Sequence, residues 1–316
     1  MKIFSWITKD TNINFMKPRV YTYALSITLV VMSVLLIVFK GFNYGIDFSG
    51  GILIEVASES KIDLEKVRKE LNNPELGLDD LSLQTIGEKG DQLMIRAQTK
   101  KADEDSQRQA IAKIKDTLGA AYEYRKIESV GPQVGDELKR AGVLASVIAI
   151  IAICIYIWVR FEWQFALGGL IGLFHDVLIT VGLLSLFNMD ISLTTVAAVL
   201  TLAGYSINDT VVTYDRIREN LRKFRRMPQI DLLNKSINDI FSRTILTSLT
   251  TMLAAGALFI LGGDVLRSFS FTILWGIVIG TYSSIYISAV FLNIFDLKKI
   301  QENKEKEDSA NPFGNV

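Results

Sequence analysis

An α-helix needs about 20 apolar residues to cross a hydrocarbon core about 30 Å thick, and this sequence supplies a window of that length six times. Residues 20–39, 141–159, 244–263 and 268–295 contain no Asp, Glu, Lys, Arg or His. Residues 163–189 are interrupted only by the adjacent pair His175 and Asp176, and residues 191–214 only by Asp209. Backbone groups in lipid must find their hydrogen bonds inside the segment, so such windows fold as helices. The expectation is a polytopic α-helical membrane protein with six transmembrane helices, and a hydrophobic content of 49% fits it. The first window reads as a retained anchor, because no small-residue cleavage site follows Phe39 and the chain continues Lys40, Gly41, Phe42.

Charge distribution gives an orientation. Lys+Arg and Asp+Glu balance at 34 each, so net charge points to no nucleic-acid partner, and only the placement of charge informs. Lys2, Lys9, Lys17 and Arg19 precede the first window. Arg216, Arg218, Arg222, Lys223, Arg225 and Arg226 follow the fourth, and Lys298, Lys299, Lys304 and Lys306 follow the sixth. All fall on one side of a six-span topology, and the opposite short loops offer only Arg267. By the positive-inside rule both termini are then cytoplasmic. The expected layout is a cytoplasmic N-terminus (1–19), helix 1 (20–39), an outer domain (40–140), a five-helix domain (141–295) with a basic cytoplasmic loop at 215–243, and a cytoplasmic tail (296–316). The basic run at 216–226 also meets anionic membrane lipid. One cysteine, Cys154, and one histidine leave no intramolecular disulfide and no zinc site, so no metal is expected.

The outer interval alternates elements. Residues 46–57 end in an alternating strand, and 63–71 form an amphipathic helix. Residues 81–86 and 92–97 make a hairpin around 87–90, 103–118 form a helix with Ala110, Ile111, Ile114 and Leu118 on one face, and 122–130 form a strand. The order βαββαβ is the ferredoxin-like α+β arrangement. In "DFSGG" (47–51), Asp47 can cap or turn the chain, and Gly50 and Gly51 permit unusual φ or close backbone approach, a structural motif.

Three spans carry small and polar residues at every fourth position, which stacks them on one helix face. These are Gly168, Gly172, Asp176 and Thr180; Thr201, Tyr205, Asp209 and Thr213; and Arg243, Thr247, Thr251 and Ala255. They predict a shared interior, for which ordinary close packing of membrane helices is a sufficient account at the Gly and Thr positions. Asp209 needs more, since an ionised carboxylate at the bilayer centre costs about 2.5–3.5 kcal/mol on insertion scales and persists where it has a partner or a task. Arg243 opens span five at similar depth and either meets Asp209 or snorkels to headgroups. His175, Asp176, Tyr205, Asn208 and Thr247 are further candidates for a proton relay or for helix packing. No phosphate loop, HExxH or GxSxG is present, so no enzyme is expected. Tyr214 and Asp215 give the "YD" of intramembrane aspartyl proteases, but no GxGD supplies a second carboxylate.

One span, an outer α+β domain, then five spans is half of the resistance-nodulation-division transporter plan. The stretches "NYGIDFSGG", "VGPQVGDELKRAG", "GLFHDVLITVGLLSLF", "LTLAGYSINDTVVTYDRIREN" and "SRTILTSLTTML", in this order, resemble the SecF branch of the SecD/SecF family of protein-export membrane proteins. The resemblance implies a subunit of the bacterial inner (cell) membrane with its large domain periplasmic. It also implies pairing with SecD beside the SecYEG translocon and YajC, and action on unfolded preprotein. The energy source would be the proton gradient, with no bound cofactor. The Asp of "NDT" and the Arg of "SRT", Asp209 and Arg243 here, would belong to the proton pathway. A half-transporter exporting a lipid or small molecule, and an assembly scaffold without proton coupling, are the competing readings.

Overall fold

The computed structural model describes residues 11–86, 90–99, 104–263 and 266–299. Lys2, Lys9, the hairpin tip at 87–89, Asp103, and the tail from 300 with Lys304 and Lys306 lie outside the described residues. Two compact units emerge, one from Met1–Phe42, Ser146–Met189 and Thr194–Val316, the other from Asn43–Ala145 and Asp190–Leu193.

In the smaller unit, β1 (Asn43–Tyr44) and α2 (Ile46–Ser49) lead into β2 (Gly51–Ala57), α3 (Leu64–Leu71), β3 (Leu78–Ile86), β4 (Gln92–Thr99), α4 (Glu104–Leu118) and β5 (Glu123–Val130). The four long strands pair antiparallel in the order β3-β4-β2-β5, which is the ferredoxin-like sheet. Asp63 caps α3 by accepting the backbone N–H groups of Glu65 (3.0 Å) and Lys66 (3.3 Å). Ile52, Ile54 and Val56 of β2 and Leu93 and Ile95 of β4 form the core with Val67 and Leu71 of α3 and Ala110, Ile114 and Leu118 of α4. Strand β2 lies between β4 and β5, and every residue of it except Glu55 is buried.

The strand expected within 46–57 starts late. Ile46–Ser49 is a single helical turn, after which Gly50 (φ 68°) and Gly51 (φ 112°) turn the chain into β2. Both lie in the left-handed region that only glycine visits at little cost. A Cβ on Gly51 would stand 2.7 Å from the carbonyl oxygen of Ala97, and one on Gly50 would stand 3.1 Å from the Cα of Pro132. Asp47 accepts the N–H of Leu193 at 2.9 Å. A further strand, β6 (Asp190–Ile191), pairs parallel with β1, which brings residues 190–193 into this unit rather than into a plain inter-span connection. Arg96 clamps the pairing by donating to Asp190 (2.5 Å) and to Asn43 (3.2 Å), while the Asn43 amide donates to Asp190 (2.6 Å).

Among the described residues six helices are long and apolar enough to cross a membrane. They are α1 (Arg19–Leu35), extended by a π-helical turn at Leu36–Lys40, α5 (Pro132–Arg160), α6 (Trp163–Leu186), α7 (Leu193–Lys223), α8 (Gln229–Leu261) and α9 (Arg267–Ser283). A π-helical turn (Ser284–Ser288), α10 (Ala289–Phe291) and a 3₁₀ turn (Leu292–Ile294) continue α9. The apolar windows of α6 and α9 are 56% buried and those of α1 and α5 only 11%. Helices α6 and α9 therefore form the centre of the larger unit, and α1 and α5 present hydrocarbon side chains outward.

Two boundaries differ from the sequence reading. Helix α5 starts at Pro132 rather than 141. The expected basic loop at 215–243 is helical at both ends, since α7 runs to Lys223 and α8 starts at Gln229, leaving only 224–228 as connection. Counting apolar residues stops where charge begins, but the helices do not. Ile217 and Leu221 of α7 remain buried in one cluster with Leu232, Leu233 and Ile237 of α8. The charged side chains on the other faces pair with each other, as Arg216 does with Asp239 (2.8 Å) and Glu219 (2.7 Å).

Gly51→Ala is expected to destabilise the purified full chain by about 1–3 kcal/mol from the strained φ alone, read as a lower thermal-unfolding midpoint. Gly131→Ala, whose added methyl meets nothing within 4 Å, should leave the midpoint unchanged.

Candidate functional site

Neighbouring elements pack closely against the face of α6 that repeats every fourth residue. The space a side chain would occupy at Gly168 is taken by the Tyr214 hydroxyl and Phe291, and that at Gly172 by the Ser288 hydroxyl. On α9 the space beside Gly276 is taken by Leu202 of α7, while beside Gly280 Ser206 of α7 and Asp176 of α6 stand at ordinary contact. Glycine admits neighbouring side chains at Gly168, Gly172 and Gly276, in the region that encloses the two carboxylates.

Asp176 has no accessible surface. Its Oδ2 accepts the hydroxyls of Ser206 on α7 and Ser283 on α9 (2.6 Å), and its Oδ1 lies 2.8 Å from His175 Nδ1. Asp209 is 8% exposed. Its Oδ1 accepts the Thr244 hydroxyl of α8 at 3.0 Å, and its Oδ2 accepts the hydroxyl of Ser284. Ser283 and Ser284 are consecutive, so one peptide unit joins the partners of the two carboxylates. That step falls where α9 passes into the π-helical turn, an irregularity frequent at functional sites. Ser284 also lies 3.1 Å from the Thr281 carbonyl, a second acceptor for its one proton, while separately the Thr281 hydroxyl meets Ser248 (2.7 Å) and Ser248 meets Tyr205 (3.2 Å). A hydroxyl both donates and accepts, so Ser284 can keep its bond to Asp209 when that carboxylate gains a proton, turning its own to the carbonyl.

The other predicted residues occupy different places. Of the α8 ridge only Ala255 turns fully inward. Arg243 and Thr247 are exposed and Thr251 is half-buried, while the adjacent Thr244 and Ser248 are buried. A shift of one residue rotates a helical position by about 100°, and the fourfold spacing had selected the neighbouring face. Thr247 spends its hydroxyl on its own helix, at the carbonyls of Arg243 and Thr244 (3.0 Å each). No ion pair joins Asp209 and Arg243 among the described residues. Arg243 lines an open groove of about 510 Å³ with Asp215, Arg216, Glu219 and Asp239. Asn208 and Thr201 are exposed on α7, and Tyr205 is half-buried. Asp215 is bridged by Arg160 at 2.9 Å on an exposed surface, while Tyr214 is fully buried with its hydroxyl on the Ser288 carbonyl (3.3 Å). No group of His, Cys, Asp or Glu suited to a metal occurs among the described residues. The sequence reading missed Ser206, Ser283, Ser284, Thr244 and Ser248. The available signal was "TYSSIYIS" (281–288), a run of hydroxyl residues inside a window treated as uniformly apolar.

Six apolar helices enclosing paired carboxylates, with a ferredoxin-like unit after the first, define half of a resistance-nodulation-division type membrane protein. The family model "Protein export membrane protein SecD/SecF, C-terminal" matches residues 110–298, and the "SecD/SecF GG Motif" matches residues 35–62, which include Gly50 and Gly51. The protein translocase subunit SecF of Rickettsia bellii is 48% identical over 92% of this chain and 95% of its own length. That of Cereibacter sphaeroides is 41% identical over 98% and 97%. The crystal structure of SecDF, a translocon-associated membrane protein from Thermus thermophilus, superposes with a TM-score of 0.80 at 36% identity. The match covers 90% of this chain but only 39% of the SecDF chain. The chain belongs to the SecD/SecF family of protein-export membrane proteins.

Asp176→Ala removes a partner of Ser206, Ser283 and His175 at once. Buried orphaned groups cost about 1–3 kcal/mol each, so a large fall in thermal-unfolding midpoint is expected in detergent. Asp215→Ala, at the exposed Arg160 pair, should cost about 1 kcal/mol or less.

Proposed function

We propose that this chain is the SecF-type half of a proton-driven machine that promotes preprotein translocation across the bacterial inner membrane. In this reading it is a transport subunit and not an enzyme. It pairs with SecD, works beside SecYEG and YajC, and draws on the proton-motive force with no bound cofactor. Both termini and the basic corner between α7 and α8 face the cytoplasm, and the ferredoxin-like unit lies in the periplasm, where its strands and edges can meet extended polypeptide.

The observation that carries the reading is the position of Asp209. It is a buried carboxylate held by the hydroxyls of Thr244 and Ser284, one residue from the exposed Asn208, and its partner Thr244 is one residue from the exposed Arg243. A face of apolar spans that leaves Thr201, Asn208, Thr247 and an arginine uncovered suits a second set of helices better than lipid. Its coverage of 39% of the SecDF chain leaves room there for that other half, and transporters built from two repeats keep the working site between them. A proton crossing 100 mV supplies about 2.3 kcal/mol, enough to bias a two-state rearrangement about fifty-fold.

Asp209→Asn keeps size and hydrogen-bonding capacity but cannot titrate. The variant is expected to copurify with SecD at wild-type abundance and to lose stimulation of export by the proton-motive force in membrane vesicles. Wild-type stimulation at equal abundance would return Asp209 to a helix-packing role.

A further inference from the structure

Ser283 and Ser284, the consecutive serines that meet the two carboxylates, sit where one backbone register gives way to another. The N–H of Ser284 donates to the Gly280 carbonyl, a bond of α-helical spacing, while the Ser284 carbonyl accepts the N–H of Ala289, a bond of π-helical spacing. Ser284 is therefore the pivot between the registers, and the direction of its side chain depends on both bonds. Neither serine has accessible surface. Each hydroxyl has one proton and two acceptors in reach. Ser283 lies 2.6 Å from Asp176 Oδ2 and 3.1 Å from the Gly280 carbonyl, and Ser284 meets Asp209 Oδ2 and lies 3.1 Å from the Thr281 carbonyl.

The Gly280 carbonyl is the point at which the two serines meet. While Asp176 holds the Ser283 hydroxyl, that carbonyl is left to the Ser284 N–H. Released from Asp176, the Ser283 hydroxyl turns to Gly280 and weakens the α-helical bond behind the pivot, and Ser284 is freed to bond its own helix at Thr281 instead of Asp209. Hydroxyls that bond back to the preceding turn bend helices in this way. A carboxyl oxygen accepts a hydroxyl whether or not its group carries a proton, so the linkage does not depend on the charge of Asp176. We propose that Asp176 is a positioning residue for Asp209: by holding Ser283 it fixes the pivot, and so sets the hydrogen bond from Ser284 and with it the proton affinity of Asp209. This role rests on the reading of Asp209 as a proton carrier. The charged groups near enough to act on Asp209 are Arg243 of α8 and Asp176 of α6, and His175 meets the other oxygen of Asp176; all three are kept in the test.

The full chain, carrying isotope-labelled aspartate, is reconstituted in nanodiscs and titrated by difference infrared spectroscopy, the Asp209 carboxyl band being the one that Asp209→Asn removes. Ser284→Ala is expected to shift the titration midpoint of that band by about one pH unit, the loss of one hydrogen bond to a charged group. Ser283→Ala should shift it in the same direction, although its hydroxyl bonds Asp176 rather than Asp209. The double variant Ser283→Ala/Ser284→Ala should stop at the midpoint of Ser284→Ala alone, as two links of one chain must. Ser206→Ala takes the other hydroxyl from the same Asp176 oxygen and leaves the pivot alone, so its effect should add in full to that of Ser284→Ala. Ser283→Cys, which keeps nearly the same volume and weakens the donor, should shift the midpoint the same way, so the test does not hang on the alanine variant folding. A midpoint unmoved by the Ser283 substitutions would overturn the proposal, as would full additivity of Ser283→Ala with Ser284→Ala. Either result on a band that titrates removes this role for Asp176 alone. An Asp209 band that does not titrate at all removes the proton-carrier reading and this role with it.

Discussion

Two carboxylates buried among apolar helices are the constraint on which the larger unit depends. Each would be untenable alone in hydrocarbon, and each is held by hydroxyls from helices other than its own. Asp176 of α6 draws on Ser206 of α7 and Ser283 of α9, and Asp209 of α7 draws on Thr244 of α8 and Ser284 of the π-helical turn. Those bonds cannot form unless the backbones come close, and closeness is what Gly168, Gly172 and Gly276 supply. Small residues, hydroxyls and carboxylates thus form one device. The glycines permit the approach, the carboxylates require it, and the hydroxyls make it specific.

The smaller unit is governed by a different constraint, backbone strain at a turn. Gly50 and Gly51 hold positive φ where the chain enters the central strand, and β2 pairs on both sides, with β4 and with β5. An error in the turn would be transmitted to the register of the whole sheet, because slipping a strand by one residue exchanges its faces. This gives the paired glycines a physical reason that is independent of any ligand. Asp47, just before them, takes the first N–H of α7, an orphan donor of a helix start.

The sequence made the order of elements legible because length and period are strong signals. Six windows of apolar residues became six helices, and the βαββαβ alternation became the β3-β4-β2-β5 sheet. It also singled out Asp176 and Asp209, since a carboxylate in hydrocarbon is conspicuous. What it did not reveal was partnership. Ser283 and Ser284 are inconspicuous in sequence because serine is cheap to place in a membrane helix, and only the fold brings them to the carboxylates. The face of α8 was misjudged for a related reason. Arg243, Thr247 and Thr251 repeat at the same spacing as Thr244 and Ser248, and periodicity alone cannot say which of two adjacent stripes faces in. Asp190 was hidden differently, as its partners Asn43 and Arg96 are far away in the chain.

The misjudged stripe bears on how the centre could respond to charge. Hydroxyls accommodate a change of proton at Asp209 by rotating, but rotation alone does not neutralise an ionised carboxylate in a low-dielectric interior. Arg243 stands one residue from Thr244 with its side chain outward. A turn of α8 that carried Arg243 inward would carry Thr244 away from Asp209. In the proposed reading, arginine approach by such a turn and threonine bonding compete for Asp209. In that reading, a second set of helices over the exposed face of α7 and α8 would decide between them, because it would set how far Arg243 is desolvated and how freely α8 can turn. The choice of partner at a buried carboxylate would then pass from one half to the other through the surface they share.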